Sequence, residues 1–202
     1  VDALNYNITS LPVPFWWDDG SSHPFAFSSP LVVNASKQYV WNSTSGLTTS
    51  QSGTLVITSS GTAVGGYLSA NTITFDQVGV GSDFTGTVII IDGVSYGYSN
   101  LPVSFLWSVG STHNFAFQSP LIVGANSKQY VWTNTTGLST LQSGSITITT
   151  YGSIIGNYKT QYYLSVSSPY DSPTPTSGWF DSGSSITASV TSTVAGPAGT
   201  QY

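Results

Sequence analysis

The chain is poor in side chains able to do chemistry. All eight of its acids are Asp, its three cations are Lys37, Lys128 and Lys159, and it has two His and no Cys or Met. Asp18-Asp19, a few residues before His23, is the one local cluster that resembles a metal or acid–base site. Ninety residues on, the matching positions read Ser108, Val109 and His113, so the carboxylates are not part of a shared design. His23 and His113 instead recur in step with aromatic residues, which reads as a hydrogen-bonded structural role. Gly79-Val80-Gly81 lacks a third glycine and a following helix, so it is no dinucleotide loop. The absence of Cys removes thiolate nucleophiles, thiolate metal sites and disulfides together. With no Glu and no convergent triad or carboxylate pair, no enzyme activity, cofactor or metal is expected.

Three other groups of residues invite chemistry. Lys37 and Lys128 could form isopeptide crosslinks to an Asn or Asp. Trp16-Trp17 could stack on sugar rings, although Trp17 matches Trp107 while Trp16 faces Leu106, which reads as one packed ring and one exposed ring. N-glycosylation sequons occur at Asn7, Asn34, Asn42 and Asn134. The last two fall in the same stretch of each repeat, a loop between the Trp and a Gly-Leu pair.

The elements that must position these residues follow from composition and pattern. Charged residues make up 5% of the chain and the formal net charge is −5, against about 25% charged residues in ordinary domains. With no basic patch to displace counterions from phosphates, nucleic acid is not an expected partner. A 39% hydrophobic and 13% aromatic content supplies apolar surface to bury, which argues against disorder. No apolar run approaches the length of a membrane span. The chain begins at Val1, which suggests that an export signal has been removed. An extracellular, cell-surface location is therefore expected. So few carboxylates also suit an acidic habitat, because little stability is lost on protonating them.

The chain repeats itself. Residues 11–67 align with 101–158 at an offset of 90, rising to 91 after an insertion near Gly124. Leu11-Pro12-Val13 returns as Leu101-Pro102-Val103, and Lys37-Gln38-Tyr39-Val40-Trp41 returns unchanged as Lys128 to Trp132. Within each repeat, period-2 alternation such as Ile146-Thr147-Ile148, and turn residues every 8–12 positions, describe strands of a β-sandwich. The second repeat, 68–158, is complete and opens with strands at Thr72–Phe75 and Thr87–Ile91 before an Asp92-Gly93 turn. The first repeat, 1–67, has Val1-Asp2-Ala3 aligned on Ile91-Asp92-Gly93, so nothing in it matches 72–90. Residues 159–202 form a tail or partial third module. Tyr162, Leu164 and Val166 line one strand there, and Ile186, Ala188, Val190 and Val194 line another. The expected fold is thus all-β, built of tandem immunoglobulin-like sandwich modules.

The Lys-Gln-Tyr-Val-Trp run, the Gln-Ser-Gly turn, Gly156–Tyr163 and Gly178-Trp179-Phe180-Asp181-Ser182-Gly183 resemble the tandem modules of surface proteins of thermoacidophilic archaea, which occur beside thermopsin-like proteases. A two-repeat version, incomplete at both ends, is similar to the thread or pilus subunits of such archaea. The resemblance implies a glycosylated structural subunit that polymerises head to tail by donor-strand complementation, in adhesion, cell–cell contact or biofilm formation. Its partners would be neighbouring copies of itself and N-linked glycans. The orphan strands of the tail are the expected donors. In the reverse polarity Leu4, Tyr6 and Ile8 would be the plugs. The other class is a carbohydrate-binding or stalk module of a cell-surface protein.

Overall fold

The computed structural model of the protein describes residues 1–169, 171–190 and 198. The described chain is all-β, with no α-helix. Its strands are β1 (Ser22–Ala26), β2 (Leu31–Asn34), β3 (Lys37–Gly46), β4 (Ser52–Val56), β5 (Ala63–Val78), β6 (Thr87–Ile91) and β7 (Val94–Gly97). After a single 3-10 turn come β8 (Val103–Ser108), β9 (Thr112–Phe117), β10 (Leu121–Gly124), β11 (Lys128–Gly137), β12 (Ser143–Thr147), β13 (Gly152–Leu164) and β14 (Gly178–Asp181). No helix is long and apolar enough to cross a membrane among the described residues.

The chain forms two compact units. Unit 1 comprises Val1–Thr72, Phe105–Ser111 and Thr147–Tyr151; unit 2 comprises Ile73–Ser104, Thr112–Ile146 and Gly152–Tyr202. In unit 2 one sheet contains β10, β11, β13 and the second half of β5, with β14 on the far end of β13. Its other sheet runs β12-β9-β6-β7. Phe75 on β5 meets Phe115 on β9 at 5.8 Å between ring centroids, so the two sheets face each other across a common core. Ile73, Val88, Ile89, Ile91, Phe117, Leu121, Tyr130, Ile154 and Tyr158 are buried there. β-branched Val88–Ile91 suits a strand covered by protein on its core face.

Unit 1 repeats half of this plan. β1 pairs with β4, and β3 lies between β2 and the first half of β5. The same side chains fasten both repeats. The Gln51 and Gln142 amides each donate to a carbonyl, of Phe27 and Phe117, at 2.9 Å. Tyr67 and Tyr158 donate to the Ser28 and Gln118 carbonyls at 3.0 and 2.9 Å. Gly46 and Gly137 end the equivalent strands at φ +95 and +97, where a Cβ would strike the carbonyl of Thr62 or Ser153.

What differs is the cover. β6 pairs with Phe115–Phe117 of β9, and β5 runs parallel to Gly152–Asn157 of β13. Both covering strands come from residues 72–91, of which 72–90 have no counterpart in residues 1–67. β1 accordingly sits in a two-stranded sheet with β4 alone. Residues 13–18, the counterparts of β8, run as irregular chain, because β8 owes its strand to pairing with β5. Phe27 is half-buried, whereas Phe117 is 2% exposed.

This difference sets the expected response to truncation. Phe117→Ala should destabilise unit 2 by about 3–5 kcal/mol, the usual range for emptying an aromatic core site. Phe27→Ala should cost under about 2 kcal/mol in the unassembled chain, because less apolar area leaves water there. Denaturant unfolding of the two variants measures both, and equal losses would show that unit 1 is covered after all.

Candidate functional site

Where the covering strands are missing, unit 1 carries a groove of about 1060 Å³. One wall is Phe25, Ala26 and Phe27, the counterparts of the β9 residues that carry β6. Another is Gly61–Val64, the counterparts of the part of β13 that runs beside β5. Leu47, Leu55 and Ile57 form the floor, and Val13–Trp17 the rim. The lining is mainly apolar, and β1 offers it a backbone edge with no strand partner among the described residues. The Asp2 N–H donates to the Pro24 carbonyl at 2.9 Å, and the edge left beyond it, beside an apolar trough, is chemically suited to accept one more extended segment.

At the rim, Phe15, Trp17 and His23 stack in series, with centroids 4.6 and 3.9 Å apart. Trp16 points outward and is 97% exposed. His23 Nδ1 lies 2.9 Å from Asp2 Oδ2, and its Nε2 lies 2.9 Å from Ser21 Oγ. The Ser–His–Asp order invites a catalytic reading, which the serine's own bonds oppose. The Ser21 hydroxyl donates to the Asp18 carbonyl at 2.6 Å, so its hydrogen points away from the base that would remove it. Ser111 donates likewise to the Ser108 carbonyl at 2.7 Å, and His113 Nδ1 lies 2.7 Å from Asp92 Oδ2. These serines lock turns, and the histidines tie the Asp2 and Asp92 turns to β1 and β9. Asp18-Asp19 is thus not the partner of His23; Asp2 is. The aligned pair Asp2 and Asp92 was the sequence signal for this. No group of three or more His, Cys, Asp or Glu among the described residues could hold a metal ion.

The identical Lys-Gln-Tyr runs end up in different surroundings. In unit 2, Lys128 Nζ is 2.8 Å from Asp83 Oδ2, and the Tyr130 hydroxyl donates to Asp83 Oδ1 at 2.6 Å. These two bonds, from Lys128 first, hold the Asp83 carboxyl below the ordinary aspartate range; the bond to Asp83, and after it one to Tyr130, pushes the Lys128 ammonium up. Tyr130 is 2% exposed and Tyr39 is 37% exposed. Asp83 itself carried no sequence signal, being 45 residues from its lysine.

The sequons are all exposed. Asn7 and Asn34 sit in turns that their own Oδ1 closes by accepting from the backbone of Thr9 and Ser36. Asn42 and Asn134 were expected in a loop, and the structure places them in β3 and β11, at the register shift beside each Trp. Asn42 is the unpaired residue of its bulge, whereas in β11 the unpaired residue is Thr133 and Asn134 pairs with Asn157; both asparagines are nonetheless exposed, so strand and exposure coexist. Of the expected donor residues, Tyr162 and Leu164 close β13. Tyr162 is paired with Lys128 on one edge and Phe180 on the other. Val166 exchanges hydrogen bonds with the Ser177 hydroxyl. Ile186, Ala188 and Val190 are exposed, and Ser189 forms an isolated bridge to Thr174. Val194 lies outside the described residues. Leu4 and Ile8 are exposed, while Tyr6 packs edge-on against Phe15 at 5.7 Å.

No family model matches this chain, and comparison with curated proteins and with solved structures finds no match.

The carboxyls set the acid response. Asp83 and Asp181 are lowered by their lysines first, through the hydrogen bonds of Lys128 and Lys159. For Asp92, burial pushes upward, and the bonds from His113 and the Asn114 N–H outweigh it. A lowered folded value adds stability that is fully present above the unfolded value and is lost as pH falls through the folded one. These three groups should therefore leave melting temperature unchanged between pH 7 and about 5 and reduce it only below about pH 4. Asp83→Asn should make that acid limb shallower; an unchanged limb would mean that Asp83 adds nothing to folding.

Proposed function

We propose that the chain is a non-enzymatic structural subunit of an extracellular surface filament, made of tandem immunoglobulin-like modules and joined copy to copy by strand donation. One observation carries this reading. The same aromatic residues that strands 72–91 bury in the second repeat line an open groove in the first. A permanently wet groove of that size is costly, since about 25 cal/mol is forgone for each Å² of apolar surface left in water. A donated strand fills it and closes the open edge in one step. The resemblance to archaeal thread and pilus subunits points to the same reading, with roles in adhesion, cell–cell contact or biofilm formation. The exposed sequons at Asn7, Asn34, Asn42 and Asn134 are compatible with a glycosylated exterior.

Residues 182–190 suit the donor role best, with apolar Ile186, Ala188 and Val190 alternating and exposed beyond the Asp181–Lys159 clasp. Electron microscopy of the full chain should show filaments that are lost on deleting residues 182–202. Filaments that survive that deletion but vanish on deleting residues 1–9 would assign Leu4, Tyr6 and Ile8 as the plugs. A chain that stays monomeric in both forms would remove the filament reading. In native material, intact mass should exceed the sequence value, with the excess on peptides containing the four sequons; unmodified peptides would exclude glycans.

A second reading, a carbohydrate-binding or stalk module, has one observation in its favour: Trp16 stands free beside the Phe15–Trp17 stack at the groove rim. Trp16→Ala should abolish retention on polysaccharide if that reading holds, and leave filaments intact if strand donation does.

A further inference from the structure

The groove is not the only thing that unit 1 lacks. In unit 2 the connection between β5 and β6 passes over Tyr130, where a Cβ on Gly81 would strike the tyrosine hydroxyl. That connection sets Asp83 between Lys128 and Tyr130. Lys128 lies 4.7 Å from the Tyr130 ring centroid, and in unit 1 Lys37 lies 5.3 Å from the Tyr39 ring. Cation and phenol are thus already arranged side by side, yet neither side chain has an ion-pair or hydrogen-bond partner among the described residues. Beside them, Gln38 Oε1 is buried without a partner. Its counterpart Gln129 sits in a chain of bonds, donating to Gln161, which donates to Asp181.

We infer that Lys37 and Tyr39 form a docking pair for a carboxylate, carried by the segment of a second copy of this chain that fills the unit 1 groove. The inference rests on the strand-donation reading and adds the charge that the incoming segment must bring. The donor is recognised twice: by apolar side chains along the trough, and by one acid held outside the trough's own lining, on Lys37 and Tyr39. Apolar alternation is common in this chain and specifies register weakly, since a slip of two residues keeps the same face inward. A single carboxylate against a fixed ammonium and phenol penalises such a slip, because the ion pair is lost while the apolar contacts survive. In a chain with three lysines and eight acids, one such pair is a selective mark. Residues 182–190 carry no acid, so the carboxylate comes from the stretch just before them: Asp181, exchanging its Lys159 clasp for Lys37, or Asp171.

The probe is a synthetic peptide of residues 72–92, the segment that already covers unit 2. It is titrated into dilute, unassembled full-length chain and followed by tryptophan emission, since Trp16 and Trp17 line the groove. The peptide should bind. Its Asp83→Asn form should bind about fivefold more weakly, as should the unchanged peptide to a Lys37→Gln chain. Combining both changes should cost no more than either alone, the mark of one shared interaction. Binding that ignores both changes overturns the carboxylate inference and leaves the groove reading standing; a peptide that does not bind overturns both. The second copy is tested by charge exchange. Lys37→Glu should slow assembly, and Asp→Lys at the donor acid, scanned from Asp171 and Asp181, should restore it. Wild-type assembly by the Lys37→Glu chain, or the absence of any restoring partner, would overturn the assignment to a second copy.

Discussion

The structure depends on covering one apolar sheet face. A β-sheet with an aromatic inner face is stable only when another layer excludes water from it. In unit 2, Ile73, Phe75, Val88, Ile89 and Ile91 do so from two strands, and Phe115 and Phe117 disappear beneath them. Unit 1 shares the strands from β1 to the first half of β5, the glycine positions and the fastening hydrogen bonds, yet leaves Phe25 and Phe27 at a groove wall. One chain thus contains a comparison with its own control. The difference in burial traces to residues 72–91 and to no change in the residues being buried.

Cohesion in so uncharged a chain falls to neutral hydrogen bonds. Gln, Ser, Thr and Tyr side chains reach backbone groups at equivalent places in both repeats: the Trp41 and Trp132 amides donate to Ser29 and Ser119 hydroxyls, each at 3.0 Å. Such bonds survive acid, since neither partner titrates. The few ions are used locally, Lys128 with Asp83 and Lys159 with Asp181, each clasping a connection or tail to a strand. Natural edge strands are commonly guarded by lysine. β1 carries none, although Pro24 lies on it. An edge left without charge fits a role in pairing with a further strand.

Much of the fold was legible locally. Period-2 alternation in Ile146-Thr147-Ile148, the Asp92-Gly93 turn, the recurrent glycines and the 90-residue offset need only neighbouring residues to be read. The site was legible in part. The alignment exposed the gap opposite 72–90 and therefore the groove, and it contained the Asp2–Asp92 pairing that answers for the histidines. It also suggested a loop at Asn42 and Asn134, where a strand with a bulge runs, because sequon and strand residues such as Thr and Asn satisfy both descriptions.

The sequence by itself determined that this protein is all-β, repeated and nearly uncharged. These properties are carried by residue type and spacing. Only the tertiary structure decided which side chains meet: Asp83 with Lys128 and Tyr130, Asp2 with His23, and β14 with the end of β13. Those partners lie tens of residues apart. Their meeting is set by strand order and register, which arise from how apolar faces stack and not from any local pattern. For that reason two identical Lys-Gln-Tyr runs acquire different chemistry, one closed over a carboxylate and the other open.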